Sequence, residues 1–336
     1  MARKTTARDV AEAAGVSSAT VDRVLNGRGG VSPELEQRVI EWARKLNLDR
    51  ALSMRSARTL RIAVLIQPPA NPFHARVQAE FVAAQRELGR LNMQARIYHI
   101  APNAPARIAA RIRGLTPGHD ALVISSVDHP DVAAACRDFG LKGPVVTLAT
   151  DIEASGRIGY IGPDNRRAGR VAGDLMGRFL GPGGGDVVML AGVLSMRGQV
   201  ERAEGFRAVL RERYPGCRPV AVLESLEQAH RAGALVRGAL KRWPGLKGIY
   251  VATSGTREAV RALDAAARRE VVLIAHELTE ERRGLLKAGR IDAIIDQNPE
   301  AEVRGAIDLL AEAFGRTDRT ARPAPPMIQI HTTENS

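Results

Sequence analysis

The segment from Thr6 to Asn26, TARDVAEAAGVSSATVDRVLN, decides the fold of the N-terminal part of the chain. Thr6 followed three residues later by Asp9 is a capping pattern that starts a helix, and Gly15 is a typical helix stop. Ser17 is a favourable N-cap for a second helix, which Asn26-Gly27 ends. Two short helices joined by a tight, glycine-containing turn indicate a helix-turn-helix.

A third helix is predicted immediately after this pair. Ser32-Pro33-Glu34 supplies an N-cap, a proline at the first helical position and an acid in the first turn. Leu35, Val39 and Leu46 then form one apolar stripe at helical spacing. We expect three short helices around one small core, and a helix-turn-helix lays the start of its second helix into the DNA major groove.

The charge of the chain supports a polyanionic partner. The 336 residues include 49 Lys and Arg against 37 Asp and Glu, a net charge of +12. The basic excess is concentrated near the front, and from Arg50 to Arg61 four arginines occur without an acid. Such a run is also typical of a solvated linker, but beside a helix-turn-helix it favours DNA.

Cysteine content and hydropathy predict the compartment. Cys136 and Cys217 are the only cysteines, which excludes a disulfide framework and favours a reducing environment. The N-terminus lacks the apolar core of a signal peptide, and no stretch reaches the roughly 18 apolar residues of a membrane span. We expect a soluble, cytoplasmic protein without a membrane partner.

The motif around the first two helices resembles a known family. Asp9-Val-Ala-Glu-Ala-Ala-Gly-Val-Ser17, Arg23-Val-Leu-Asn26 and Val31-Ser32 closely resemble the headpiece of the LacI (lactose-repressor) family, over residues 6–47. The resemblance implies that Ser18, Ala19 and Arg23 reach base edges. It also implies phosphate contacts by Ser17, Thr20 and Asn26.

The chemistry of individual side chains fits this division into base contacts and phosphate contacts. Arg23 can bind guanine through two hydrogen bonds, whereas Ala19 can only touch a methyl group. Arg8 is placed to add a phosphate or base contact. Asp22 departs from the family, which usually has a small hydroxyl there; it either accepts from a cytosine amino group or pairs with a nearby arginine.

The hinge is the second departure. The family usually has Tyr-x-Pro-Asn before a helix that wedges a leucine into the minor groove, and Leu48 to Arg58 lacks Pro-Asn. Leu52 or Met54 is the candidate wedge, since apolar side chains of this size unstack minor-groove steps. Arg55 and Arg58 are expected to contribute electrostatic, sequence-independent affinity.

From Leu60 onward, apolar strands alternate with amphipathic helices. This alternation predicts parallel sheets covered by helices, and nine or more strands divide into two lobes. Ligands are then expected at the carboxyl ends of strands, in the crevice between the lobes. The predicted strands cover residues 61–66, 94–100, 121–124, 145–148, 186–190, 219–223, 248–251, 271–274 and 293–295.

This region resembles the effector domain of the same family, which has a type I periplasmic-binding-protein-like fold. The resemblance rests on Asn71-Pro-Phe73, Asp164-Asn-Arg-Arg-Ala-Gly169, Arg202-Ala-Glu-Gly-Phe206 and Ile295-Asp-Gln297. By position, it implies effector contacts by Phe73, Asp164, Arg202, Ser254, Glu277 and Gln297. Thr253-Ser254 and His276-Glu277 replace the usual pairs, so no known sugar specificity transfers.

We therefore expect a helix-turn-helix domain (1–48), a hinge (49–60) and an effector domain (61–336) whose lobes comprise about 61–162 with 298–323, and 163–297 with 324–336. The function predicted is a DNA-binding repressor, binding a near-palindromic double-stranded operator as a homodimer and controlled by a sugar, polyol or sugar acid. The alternatives are a sugar-binding protein of a transport system and a regulator controlled by a protein partner. No catalytic, metal or cofactor motif is found, so we expect neither enzyme activity nor a cofactor.

Overall fold

The computed structural model describes residues 5–26, 28–46, 48, 58–317 and 326–336. The chain forms two compact units, Met1–Ile62 with Ala84–Ala95, and Ala63–Ala83 with Arg96–Ser336. Among the described residues, none of the helices combines the length and apolar character needed to cross a membrane.

Three helices form the headpiece, which we define as residues 5–48. They are α1 (Ala7–Ala14), α2 (Ser18–Leu25) and α3 (Pro33–Lys45). The predicted capping box is present, because the Thr6 side chain and backbone both bond with Asp9. Gly15 ends α1 with φ 64°, a conformation that favours glycine. The shared core contains the buried side chains of Val10, Ala11, Ala14, Val21, Val24, Leu25, Val39, Ala43 and Leu48.

The remaining chain alternates strands with helices, as predicted. The strands are β1 (Leu60–Ile66), β2 (Met93–His99), β3 (Ala121–Ile124), β4 (Val145–Leu148), β5 (Gly159–Ile161), β6 (Gly185–Ala191), β7 (Cys217–Glu224), β8 (Leu246–Val251), β9 (Val272–His276), β10 (Ala293–Asp296) and β11 (Gln329–His331). The helices are α4 (Pro72–Ala83), α5 (Gln85–Arg90), α6 (Pro105–Leu115), α7 (Pro130–Gly140), α8 (Asn165–Leu180), α9 (Arg197–Arg213), α10 (Ala229–Arg242), α11 (Thr256–Ala265), α12 (Glu280–Lys287) and α13 (Pro299–Ala313).

The strands form two sheets. The first has the order β2-β1-β3-β4-β5, and the second has the order β11-β10-β9-β8-β6-β7. Strands β3, β4 and β5 pair in parallel, as do β10, β9, β8, β6 and β7, whereas β11 is antiparallel to β10. The predicted fold class, an all-α headpiece with a two-lobed α/β domain of mainly parallel sheets, is confirmed.

The sheets define two lobes, which the chain crosses more than once. We call the lobe around the first sheet lobe 1 and the lobe around the second sheet lobe 2. The chain passes from β5 in lobe 1 to α8 in lobe 2, and from β10 back to α13, which packs on α4, β4 and β5. The carboxyl ends of the strands in both lobes are thereby available to one site.

Candidate functional site

One face of α2 is exposed. Val21, Val24 and Leu25 are buried in the headpiece core. At the start of the helix, the Ser17 hydroxyl accepts a hydrogen bond from the backbone N–H of Thr20 at 3.1 Å, as expected of an N-cap. The residues of α2 and its caps that are exposed are Ser17, Ser18, Ala19, Asp22, Arg23 and Asn26.

Two arginine side chains of the headpiece have no partner within the described residues. Arg23 on α2 and Arg8 on α1 are exposed, and neither guanidinium forms a hydrogen bond or ion pair there. A guanidinium with all of its donors available is suited to the edge of a guanine or to a phosphate. Both guanidinium groups are therefore available for the predicted DNA contacts.

Asp22 forms an ion pair, which is the second of the two alternatives for this residue. Its carboxylate accepts from Arg28 Nη1 at 3.0 Å and from Asn26 Nδ2 at 2.6 Å. Arg28 was not among the predicted residues, because the pair depends on the bend that follows α2. Both side chains are more than half exposed, so the pair is weak and solvent-screened.

Three of the four predicted hinge residues, Leu52, Met54 and Arg55, lie outside the described residues. Arg58 is described and exposed, two residues before β1.

A polar pocket lies between the two lobes, at the carboxyl ends of their strands. It encloses about 540 Å³ of empty space, part of which is open to solvent. Lobe 1 contributes residues that follow β1, β3 and β4, and lobe 2 contributes residues that follow β7, β8, β9 and β10 together with the start of α9. Of the six predicted effector residues, five line it: Phe73, Arg202, Ser254, Glu277 and Gln297.

Arg202 is the centre of a hydrogen-bonded chain on the lobe 2 side. Its side chain is almost completely buried, with Nε donating to Asn165 Oδ1 and Nη2 donating to Gln297 Oε1, both at 2.8 Å. Gln297 Nε2 in turn donates to Glu277 Oε1 at 2.6 Å. The neutral amide of Gln297 therefore links the guanidinium to the carboxyl group.

Close packing of α8 on α9 sets the position of Arg202. A Cβ added to Gly169 would lie 2.0 Å from the Arg202 carbonyl oxygen, and one added to Gly205 would lie 2.0 Å from the Arg166 carbonyl oxygen. Only glycine allows the helices to approach this closely. The contact brings the start of α8, and with it Asn165, against the Arg202 side chain.

The structure places Asp164 outside the pocket. Its exposed carboxylate caps α8 by accepting from the backbone N–H of Arg167 at 2.8 Å. The next residue, Asn165, is buried and bonds with Arg202, and it also donates to the Ala149 carbonyl in lobe 1. An N-cap side chain must turn back to its own helix, so it does not extend into the cleft.

Glu277 occupies an unusual electrostatic environment. It is 6% exposed, and its Oε2 atom has no hydrogen-bond partner among the described residues. Burial, reinforced by nearby Asp296, raises the pKa of its carboxyl group to about 8. Its neighbour His276 is held by a 2.7 Å hydrogen bond between Nδ1 and the Tyr250 hydroxyl, and burial lowers the pKa of the imidazole well below its usual value.

Two charged residues of the pocket were missed by the sequence reasoning. Glu227 follows β7, and Arg282 lies on α12, in a stretch that resembles an ordinary exposed helix. Arg282 is only 3% exposed and donates to the Thr253 and Glu277 carbonyls and to Thr256 Oγ1. No local pattern distinguishes Arg282 from neighbouring Arg283, because its burial depends on strands β8 and β9.

Several hydrogen bonds cross directly between the lobes. Asn71 Nδ2 in lobe 1 donates to Glu227 Oε2 in lobe 2 at 3.1 Å. The backbone N–H of Gly198 donates to Thr150 Oγ1 at 3.0 Å, and Arg76 Nη1 lies 2.7 Å from Asp296 Oδ1. These contacts describe a cleft that is closed around the pocket.

Backbone strain is concentrated around the same pocket. Ala149, Glu227, Glu277 and Asn298 all have positive φ, between 57° and 73°, although none is a glycine. Such conformations are costly and persist where the surrounding structure fixes them, often at functional sites. In the described part of the chain, no group of three or more His, Cys, Asp or Glu side chains is placed to hold a metal ion.

Two family models match the chain. The model of the periplasmic binding protein domain matches residues 62–317, and the model of bacterial regulatory proteins, lacI family, matches residues 6–49. The chain belongs to the lacI family of bacterial regulatory proteins. It is a DNA-binding transcriptional regulator and not an enzyme.

Individual proteins are similar to different parts of this regulator. The ribose import binding protein of Salmonella typhimurium is 26% identical over 71% of this chain and 79% of its own length. The ribose operon repressor of Bacillus subtilis is 32% identical over 47% of this chain and 48% of its own length. The solute-binding protein of an ABC transporter from Burkholderia graminis, solved with D-arabinose, has a TM-score of 0.75 and 24% identity, covering 84% of this chain and 98% of that chain.

Proposed function

We propose that this regulator is a sugar-responsive transcriptional repressor that binds a near-palindromic operator as a homodimer. One observation carries the proposal: the same chain holds a helix-turn-helix, whose exposed Arg23 side chain has no partner within the described residues, and a closed polar pocket at the strand ends of a sugar-binding fold. The names of two similar proteins, both of which refer to ribose, support a polyhydroxylated effector of sugar size.

We assign the parts of the chain as follows. Residues 1–48 bind DNA, 49–60 form the hinge and 61–336 bind the effector. Arg23 reads a base, with Ser18 and Ala19 beside it, whereas Ser17, Thr20, Asn26 and Arg8 bind the backbone. Phe73, Arg202, Ser254, Glu277 and Gln297 contact the effector.

The mechanism follows from the difference between an open and a closed cleft. An effector that bridges Phe73 of lobe 1 and Arg202 of lobe 2 stabilises the closed arrangement. Because binding favours one conformation, it changes the affinity for DNA by the difference in the two binding free energies.

A two-stage experiment tests the function with the full-length chain. Selection from random duplex DNA should enrich a near-palindrome with two half-sites, and fluorescence anisotropy should show that a carbohydrate changes the affinity for the selected duplex. Arg23→Ala is the control for sequence recognition. Carbohydrate binding without any enriched DNA sequence would favour a transport-type binding protein, and an enriched operator that no small molecule affects would favour control by a partner protein.

A further inference from the structure

Two buried arginines in the pocket lack an acidic partner in the part of the chain that the structure describes. Arg202 and Arg282 are 6% and 3% exposed, and neither forms an ion pair within the described residues. Their hydrogen-bond acceptors are all neutral: the side-chain oxygens of Asn165 and Gln297 for Arg202, and the Thr256 hydroxyl with two backbone carbonyls for Arg282. Most buried guanidinium groups are paired with a carboxylate, so this arrangement is unusual.

The two carboxyl groups of the pocket are likewise bound by neutral groups. Glu277 accepts from the Gln297 amide and lies 3.7 Å from the His276 ring, as measured between Oε1 and Nε2. Glu227 Oε2 accepts from Asn71 Nδ2 at 3.1 Å and Thr253 Oγ1 at 3.2 Å. Within the described residues, therefore, no hydrogen bond joins Arg202 or Arg282 directly to the carboxyl group of Glu277 or Glu227, although the charges are close enough to interact.

The charge balance of the pocket is positive near neutral pH. Burial raises the pKa of Glu277 to about 8 and also raises the pKa of Glu227, while it lowers the pKa of His74 to about 3. Glu277 is then largely protonated, and the imidazoles of His74 and His276 are neutral. The guanidinium groups of the two arginines keep their charge. The charged or titratable groups that act on Glu277 are Arg202, Arg282, Arg76, Asp296, Glu302 and the neighbouring His276.

Two hydrogen-bond donors in the pocket are available to a negatively charged ligand. Nη1 of Arg202 has no hydrogen-bond partner within the described residues, although Nε and Nη2 are both engaged. The protonated form of Glu277 has a second donor to offer, because its Oε2 is unpartnered. Arginine Nη groups bind a carboxylate through two parallel hydrogen bonds, and burial strengthens such bonds.

We propose that the effector is an anionic carbohydrate, a sugar acid whose carboxylate binds Arg202 while its hydroxyl groups bond with the neutral polar side chains of the cleft. The inference rests on the proposed function, since it names the chemical class of effector for the same pocket. Phe73 is the pocket's phenyl ring, and Asn71, Ser254 and Gln297 supply the amide and hydroxyl groups for a polyol skeleton.

Matched pairs of acid and neutral sugar provide the test. Isothermal titration of the full-length chain is carried out with D-gluconate and D-glucose, D-ribonate and D-ribose, and D-galacturonate and D-galactose. The acid of at least one pair should bind about tenfold or more tightly than its neutral partner, because a carboxylate pairs its charge with the guanidinium, whereas a neutral hydroxyl does not. The inference is overturned if no acid binds, or if each neutral sugar that binds does so as tightly as its acid.

Variants separate a specific counter-ion from general positive charge. Arg202→Gln should remove the preference for the acid, whereas Arg304→Gln, an exposed arginine on α13, should keep it. Arg202→Lys keeps the charge without the paired Nη donors and should retain only part of the preference. Unchanged preference in Arg202→Gln contradicts the proposal.

A second variant keeps the inference testable if Arg202→Gln does not fold. Wild-type affinity for the acid should fall as the pH rises through about 8, since ionised Glu277 repels it. Glu277→Gln should abolish this fall. A Glu277→Gln variant that loses affinity for a neutral sugar instead would show that an ionised Glu277 holds neutral hydroxyls, and would overturn the proposal.

The two proposals fail in different experiments. A neutral sugar that binds best and changes operator affinity refutes the anionic effector and leaves the sugar-responsive repressor intact. An acid that binds through Arg202 while no operator sequence is enriched has the opposite consequence.

Discussion

The headpiece and the pocket differ in where their recognition residues lie and how exposed these are. The proposed DNA contacts are mostly exposed side chains on two short helices and their caps, and the Arg23 and Arg8 side chains have no partner within the described residues. The proposed effector contacts are mostly buried and come from strand ends far apart in the sequence, as Arg202 and Gln297 do, at a separation of 95 residues. The charged groups of the headpiece are therefore exposed to solvent, whereas those of the pocket are buried.

This difference determines what each site costs when it is empty. An exposed guanidinium is solvated by water, so an unoccupied headpiece has little electrostatic penalty. Buried Arg202, Arg282 and Glu277 have lost their hydration. This loss lowers the free energy of unfolding until an effector binds. Ligand and stability are therefore coupled strongly in the pocket and weakly in the headpiece.

The largest expected effect is a pH dependence of stability that comes from Glu277. Its pKa is about 8 when folded and near 4.5 when unfolded, so between these values the folded state binds more protons. The free energy of unfolding contributed by this group is thus greatest below pH 4.5 and falls as the pH rises toward 8, by roughly 1 kcal/mol per pH unit. Urea unfolding of wild type and Glu277→Gln across this range measures it.

The control for this measurement is Glu280→Gln, an exposed acid on α12. The advantage of Glu277→Gln over wild type should grow with pH, while Glu280→Gln should follow wild type. Parallel curves for all three proteins would mean that Glu277 is ionised in the folded state, and the contrast between a charged headpiece and a protonated pocket acid would not hold.

The sequence predicted most of the architecture because local patterns determine it. The nine strands predicted from apolar runs are all present, although β2 and β7 are only partly buried, and the Thr6 and Ser17 caps begin the first two helices as predicted. Strands β5 and β11 were missed because each has only three residues, and their pairing is supplied by the neighbouring strands β4 and β10.

The pocket was less predictable than the headpiece for a physical reason. Arg202 and Gln297 were found through their motifs, and both line the pocket. Arg282 was missed because its burial follows from the ends of β8 and β9, which no window around α12 contains. The resemblance places Asp164 in the pocket, but Asp164 is the exposed N-cap of α8. The next residue, Asn165, is buried and bonds with Arg202 instead.

An intermediate effect is expected on the exposed recognition face. Arg23→Ala should cost about 1 to 3 kcal/mol in operator affinity and relax the preference at one base pair in each half-site. Asn26→Ala should weaken binding to all sequences alike, because a backbone contact carries no base information. Selection from random duplex DNA with each variant compares them, and an unchanged base preference in Arg23→Ala would remove it from the base-reading set.

The smallest effect should come from the pair of Asp22 and Arg28. Because both side chains are more than half exposed, their coupling in a double-mutant cycle of Asp22→Asn and Arg28→Gln should be below about 1 kcal/mol. If Asp22 only holds Arg28 and Asn26, Asp22→Asn should leave base preference unchanged, as should Glu12→Gln, an exposed acid on α1. If Asp22 instead exchanges Arg28 for a cytosine amino group on DNA, Asp22→Asn will change the preference at one position of each half-site. In that case Asp22 would exchange an intramolecular partner for DNA, unlike Arg23 and Arg8, whose side chains have no such partner to exchange within the described residues.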